Sequence, residues 1–136
     1  MPGYSQTPLA QKLGIREGAT LTVIRPPRAY AEWLAPLPAD VRVTEREPRT
    51  PTAVHLFTTR RRDLERELAR WRQKLAADGF LWISWPKKAS AVESDVTEDV
   101  IRELALPLGF VDVKVCAVSE IWSGLKLVIR KELRER

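Results

Sequence analysis

Three short apolar segments stand out in an otherwise highly charged sequence, at residues 19–24, 53–58 and 80–85. Each is nearly continuous in β-branched, aliphatic and aromatic residues and does not alternate with polar ones. Parallel strands that are buried on both faces have this pattern. The pattern therefore predicts three strands in the interior of one sheet.

The segment between the last two of these strands predicts an amphipathic helix over residues 60–77. Its apolar residues recur at spacings of four, three and four, and charged residues occupy most of the positions between them. They are Leu64, Leu68, Trp71 and Leu75. This spacing places one apolar stripe along the helix, so that residues 53–85 form a strand, a helix and a second strand.

Weaker patterns predict the remaining helices. Residues 96–106 predict a helix that begins with Asp95 and Glu98 at the spacing of a capping box. Residues 29–37 predict a short helix, and residues 41–46 alternate as a more exposed strand does.

The end of the chain predicts an antiparallel pair. Residues 110–118 and 125–131 have strand composition, and the segment 122–124 between them is short enough for a hairpin turn. Residues 1–8 and 132–136 are predicted to be loose ends. The order of elements predicts a single α/β domain with a mostly parallel, Rossmann-like sheet, helices on both of its faces and a C-terminal hairpin.

Composition narrows the class of protein. Of the 136 residues, 44% are hydrophobic and 30% are charged, and no apolar run approaches the ~18 residues that would cross a membrane. The N-terminal residues contain no apolar stretch of a secretory signal. With one cysteine and one histidine, no disulfide within the chain and no usual zinc site can form. We therefore predict a cytoplasmic, basic protein without a metal and without a membrane partner.

The formal net charge of +5 favours anionic partners, and the predicted fold indicates where they would bind. Ligands of open parallel sheets bind at the carboxyl ends of the strands. Cations follow three of the predicted strands there, and the first residue of the helix at 60–77 opens a run of three arginines. The predicted anion-binding residues are Arg25, Arg28, Arg60, Lys87 and Lys88.

Further side chains near these strand ends are candidates to flank a ligand. They are Tyr30, Trp85, Trp122 and Lys126. By contrast, His55 lies within an apolar strand and is predicted to be a hydrogen-bonded core histidine, and Cys116 is predicted to be inert packing. Ser84 has no histidine nearby in sequence and no nucleophile elbow around it, so no catalytic residue is assigned.

Several segments resemble class I S-adenosylmethionine-dependent methyltransferases. Residues 75–86 are similar to the turn of that family before its fifth strand, residues 108–110 lead into a similar closing hairpin, and residues 18–24 look like its first strand. Residues 3–9, 12–15, 81–88, 112–118 and 122–126 together resemble a small bacterial family, a domain of unknown function. The resemblance implies a methyltransferase-like fold and brings no activity with it.

The resemblance breaks after the first strand, where such folds have a glycine-rich turn whose N–H groups approach the cofactor. This chain has Arg25-Pro26-Pro27-Arg28, and neither proline has an N–H group. We therefore predict no cofactor and no measurable binding of S-adenosylmethionine. Glu45 is the one candidate for cofactor binding, because it lies 21 residues beyond Ile24, near the position of the acid that binds ribose in such folds.

Three functions remain open on the sequence. The first is a non-catalytic or regulatory module that holds an acidic partner or a phosphate-bearing ligand at the basic edge of the sheet. The alternative is a small methyltransferase-like enzyme with an altered cofactor seat. The third is a nucleic-acid-binding protein that uses the same cations, although the sequence contains no recognised nucleic-acid module.

Overall fold

A single mixed sheet of six strands organises the structure, a computed structural model that describes residues 7–134. The strands are β1 (Thr20–Ile24), β2 (Arg42–Thr44), β3 (Ala53–Phe57), β4 (Phe80–Pro86), β5 (Phe110–Ala117) and β6 (Trp122–Ile129). The helices are α1 (Leu9–Lys12), α2 (Tyr30–Leu34), α3 (Arg61–Lys74) and α4 (Glu98–Ala105). Single-turn 3-10 helices lie at Lys88–Ser90, Leu106–Leu108 and Lys131–Leu133.

The strands lie in the order β2-β1-β3-β4-β6-β5. The four on one side run parallel to one another, while β6 is antiparallel to both β4 and β5. The prediction of three adjacent parallel strands, with an antiparallel pair at one edge, is confirmed. The exposed second strand is also confirmed, because β2 forms the opposite edge.

The turn of the C-terminal hairpin lies earlier in the chain than predicted. Its second strand begins at Trp122 and not at Leu125, so residues 118–121 form the turn. The N–H groups of Val118 and Ser119 both donate to the carbonyl of Trp122, at 2.9 and 3.1 Å, and these bonds close the turn. Trp122 is therefore a strand residue, and its indole ring packs edge-to-face on Phe57 with ring centres 5.1 Å apart.

Side chains of the inner strands enter two separate cores, because successive strand residues point to opposite faces of a sheet. Helices α3 and α4 cover one face, where Leu56, Ile83 and Leu125 are buried. Helices α1 and α2 cover the other face, where Val23, His55 and Trp82 are buried. No helix within residues 7–134 is long and apolar enough to cross a bilayer.

The predicted apolar stripe of α3 is confirmed, since Leu64, Leu68 and Trp71 have no exposed surface. The predicted capping box of the later helix is wrong. Helix α4 begins after Thr97, whose hydroxyl accepts a hydrogen bond from the N–H of Val100 at 3.1 Å. Thr97 makes a cap in which no glutamate takes part.

Helix α1 has no counterpart in the sequence predictions. Leu9, Ala10 and Leu13 are buried against the sheet, and the carbonyl of Leu13 accepts a hydrogen bond from the indole N–H of Trp82 at 2.9 Å. Proline and polar residues obscure the apolar pattern of this four-residue helix. Its packing, rather than helix propensity, holds it, because isolated helices of this length are unstable.

Candidate functional site

A cavity of about 430 Å³ opens at the carboxyl ends of β1 and β2, on the face that α2 covers. Most of its wall is apolar: Val23, Pro26, Pro27, Ala31, Leu34, Leu37 and Val43. Its charged residues are Arg28, after β1, and Glu45, after β2. A mostly apolar pocket with a few convergent polar groups is the usual form of a small-molecule site. We call it the β1–β2 cavity.

The chain bends after β1 without a glycine. Arg25 has a φ of 54° and so takes the left-handed conformation that glycine adopts most readily. Pro26 and Pro27 follow it and have no N–H group.

A second cavity, of about 570 Å³, lies after β3 between the start of α3 and the loop before α4. Arg60 and Arg62 line it together with Glu93 and Asp95. Asp95 accepts a hydrogen bond from the backbone N–H of Arg61 at 2.6 Å, so a carboxylate caps the positive end of α3.

Nearby carboxylates therefore balance part of the charge of the three arginines at the start of α3. The guanidinium of Arg61 also pairs with Glu103 of α4 at 2.6 Å, and the bond to Glu103 raises the pKa of Arg61. Because both partners are exposed, this pair contributes little to stability. The predicted cation-rich edge contains more acids than the sequence analysis placed there.

The five predicted anion-binding residues have different surroundings. Arg25 pairs with Glu67 of α3 at 3.5 Å, on the sheet face opposite to the β1–β2 cavity that Arg28 lines. Arg60 lines the second cavity, and the ammonium of Lys87 donates to the carbonyl of Ser119 at 3.0 Å. Lys88 is exposed in the 3-10 helix after β4. All five follow strand carboxyl ends, as predicted, while their convergence on one anion stays a prediction.

Two of the predicted flanking residues, Trp85 and Lys126, need correction. Trp85 is only 7% exposed and packs in the core under α3 and α4, so its ring is not available to a ligand. Tyr30 borders the β1–β2 cavity, but its hydroxyl points into the core and meets His55. Lys126 lies away from the strand carboxyl ends, opposite Trp82 in the β4–β6 ladder and over the ring of Phe80.

Three buried polar side chains are linked by hydrogen bonds next to the β1–β2 cavity. The Tyr30 hydroxyl lies 2.6 Å from Nδ1 of His55, and Nε2 of His55 lies 2.8 Å from the Ser84 hydroxyl. Burial lowers the pKa of His55 to about 3 and raises the pKa of Tyr30, so both side chains are neutral. The prediction that His55 is a hydrogen-bonded core residue is confirmed. Its contact with Ser84, which lies 29 residues away, leaves no pattern in the sequence that could predict it.

Comparison with solved structures finds the same architecture in other proteins. A protein from Sulfolobus solfataricus assigned as a type 11 methyltransferase matches with a TM-score of 0.60 and 11% identity, over 94% of this chain and 93% of its own. A TehB-like SAM-dependent methyltransferase from Corynebacterium glutamicum matches with a TM-score of 0.51 and 12% identity, over 94% and 90% of the two chains. The chain has a class I methyltransferase-like fold.

At this level of identity the likeness shows the fold of the chain and not its reaction. A protein of the NADB-Rossmann superfamily from Streptococcus agalactiae matches in the same way, with a TM-score of 0.53 and 12% identity, over 93% of this chain and 69% of its own. No protein-family profile and no curated protein sequence matches the chain. The β1–β2 cavity lies beside the segment after β1, which is a glycine-rich turn in the family that the sequence resembles.

Proposed function

We propose that the chain is a small methyltransferase-like enzyme with an altered cofactor seat, the β1–β2 cavity, which binds S-adenosylmethionine. The observation that carries the proposal is the position of Glu45 on the wall of this cavity, just after the second strand. An acid at that place binds the ribose hydroxyls in nucleotide-binding folds of this kind. The methyltransferases among the structural neighbours favour this alternative over the non-catalytic module.

The apolar wall of the cavity suits the adenine base of the cofactor. Leu34 and Leu37 come from α2 and the segment after it, and Val43 comes from β2. Leu37 and Val43 are 40% and 38% exposed. A bound base would cover this apolar surface, which water otherwise contacts.

The methionine part of the cofactor requires a different partner from that in a glycine-rich turn. Pro26 and Pro27 have no N–H group for its carboxylate, whereas Arg28 offers a guanidinium in the same cavity. Arginine binds a carboxylate through two parallel hydrogen bonds. We infer that Arg28 replaces the missing backbone donors, and this inference replaces the expectation that the prolines abolish cofactor binding.

The bound cofactor would supply an activated methyl group to a nucleophilic acceptor. The residues of this chain would bind and orient it: Glu45 the ribose, Arg28 the carboxylate and the leucine and valine side chains the base. In its neutral state, the buried chain of Tyr30, His55 and Ser84 would keep the wall next to α2 rigid without carrying a charge.

Calorimetric titration with S-adenosylmethionine and with S-adenosylhomocysteine tests the proposal. We expect binding that Glu45→Gln weakens by about tenfold or more, because a charged acceptor to the ribose is lost. Val43→Trp should abolish binding by filling the cavity, while Glu17→Gln, at an exposed glutamate outside the cavity lining, should leave it unchanged. Absence of binding, or binding that Glu45→Gln and Val43→Trp leave intact, would refute the proposal.

The non-catalytic module remains the second candidate, and the paired prolines after β1 favour it. In that case anions, and not S-adenosylmethionine, would bind at the strand carboxyl ends. Such binding should weaken as salt screens the exposed charges. Joint replacement of Arg25 and Lys87 by alanine should abolish it.

A further inference from the structure

Four cations group on the α1-side face of the β5–β6 hairpin, away from the β1–β2 cavity. They are Lys12, Arg16, Lys114 and Lys126, which we call the α1 basic cluster. Lys114 lies directly opposite Lys126 in the antiparallel ladder, so the two side chains project from the same face. The Cβ atoms of such pairs are about 5 Å apart, and like charges in this arrangement are destabilising.

Neutral groups hold the ammonium groups of the three lysines in place. The ammonium of Lys12 donates to the carbonyl of Ala117 at 3.0 Å, and that of Lys114 donates to the carbonyl of Lys12 at 2.9 Å. The ammonium of Lys126 lies 4.6 Å from the centre of the Phe80 ring. These contacts fix the positions of the amines without neutralising them, and each amine has three N–H donors.

No carboxylate within residues 7–134 forms an ion pair with a member of the cluster. The ion pairs in this part of the chain join arginines and Lys74 to aspartates and glutamates, and none includes a member of the cluster. Burial lowers the pKa of Lys126, and the charges of Lys114 and Arg16 lower it further. The electrostatic repulsion in the cluster is therefore not relieved by the protein itself.

The backbone beside the cluster leaves space for Lys126, one of its two half-buried members. Gly14, with a φ of 81°, lies where an added Cβ atom would stand 3.2 Å from the Lys126 ammonium nitrogen. Gly14 follows α1, and the charge of Arg16, two residues later, is close enough to lower the pKa of Lys126. Like charges placed opposite each other in a sheet are unfavourable for folding, and such unfavourable arrangements are typical of functional sites.

We propose that the α1 basic cluster is a binding site for a small ligand that carries a diphosphate or a longer phosphate chain. Four cations from α1, the following turn and two paired strands meet in one region, which suits a compact multiply charged group better than an extended polymer. Phosphate oxygens would accept charge-assisted hydrogen bonds from the remaining N–H groups of the cluster. Their negative charge would offset the repulsion between the four cations. The site lies level with the start of β4, so it is separate from the proposed cofactor seat and does not depend on it.

Titration of the protein with inorganic pyrophosphate at low salt tests the site, with heat and melting temperature as readouts. We expect binding that raises the melting temperature by mass action. The double variant Lys114→Gln, Lys126→Gln should weaken binding by at least about tenfold. The double variant Arg49→Gln, Lys131→Gln changes the net charge equally at exposed positions outside the cluster and should bind like the parent.

A second readout separates a ligand site from a structural role. Without ligand, Lys114→Gln, Lys126→Gln should melt at a higher temperature than the parent, because the repulsion is removed. A lower melting temperature, or equal weakening in the two double variants, would overturn the proposal. Binding of a short single-stranded RNA that pyrophosphate does not displace would also overturn it, since the cluster would then serve an extended nucleic acid.

Discussion

Mild acid should destabilise this protein through a single side chain, His55. Its ring is fully buried and bonded to Tyr30 and Ser84, and burial lowers its pKa to about 3. The unfolded chain has a histidine pKa of about 6.5, so below that pH the unfolded state binds a proton that the folded state does not. The contribution of His55 to the free energy of unfolding is therefore fully present above pH ~6.5. It falls by about 1.4 kcal/mol per pH unit below that value until the pH approaches 3.

Integrated between about pH 7.5 and pH 5, this linkage removes about 2 kcal/mol from the free energy of unfolding. The range isolates one group, because the chain has a single histidine and most carboxylates titrate at lower pH. Urea denaturation at a series of pH values measures the change. Tryptophan fluorescence reports unfolding, since Trp71 and Trp82 have no exposed surface in the folded state.

Two variants test whether the His55 imidazole causes the loss of stability at low pH. The substitution His55→Gln retains polar contacts without titrating, so its stability should be nearly flat over this range, whatever its absolute value. Tyr30→Phe removes a hydrogen bond but leaves the ring buried, and its stability should fall with pH as in the parent. A parent protein equally stable at both ends of the range, or a His55→Gln variant with the parent slope, would refute the reasoning.

Three smaller effects follow from local contacts. Thr97→Ala should lower the free energy of unfolding by about 1 kcal/mol by removing the cap of α4, while the exposed Thr50→Ala serves as the unchanged control in urea denaturation. Gly109→Ala should lower the free energy of unfolding by about 1 to 3 kcal/mol, because Gly109 has a φ of 105° and the new Cβ atom would lie 2.7 Å from the Leu133 side chain. Gly18→Ala should lower it less, because no other side chain or backbone atom lies within 4 Å of the Cβ position there. Cys116 should react with iodoacetamide more slowly than free cysteine, as mass spectrometry can measure, because burial raises its pKa and lowers the thiolate fraction; a rate equal to that of free cysteine would contradict this.

Local patterns were sufficient to predict most of the fold. Continuous apolar runs identified β1, β3 and β4, and the spacing of Leu64, Leu68 and Trp71 identified α3, because burial on two faces or on one stripe leaves a periodic trace in the sequence. The short helix α1 left no such trace. Its burial depends on contacts such as that of Leu13 with Trp82, 69 residues later.

The site was predicted less completely, because its contacts join distant residues. Glu45 and Arg28 were identified, and both line the β1–β2 cavity, since strand ends can be located from the sequence. The pairing of Lys114 with Lys126 depends on a register that shifts between Asp112 and Lys114, an irregularity that no residue in the sequence announces. Trp85 was expected beside a ligand but is buried, because sequence position does not reveal which way a side chain points.

We propose that the β1–β2 cavity is the altered cofactor seat of a methyltransferase-like enzyme. A crystal structure of the protein grown with S-adenosylhomocysteine would test this proposal, because the electron density would show the site and its partners together. We expect density for the ligand in this cavity, with the ribose hydroxyls at Glu45 and the carboxylate at Arg28. An empty cavity in crystals grown at saturating ligand, or ligand bound elsewhere on the sheet, would contradict it.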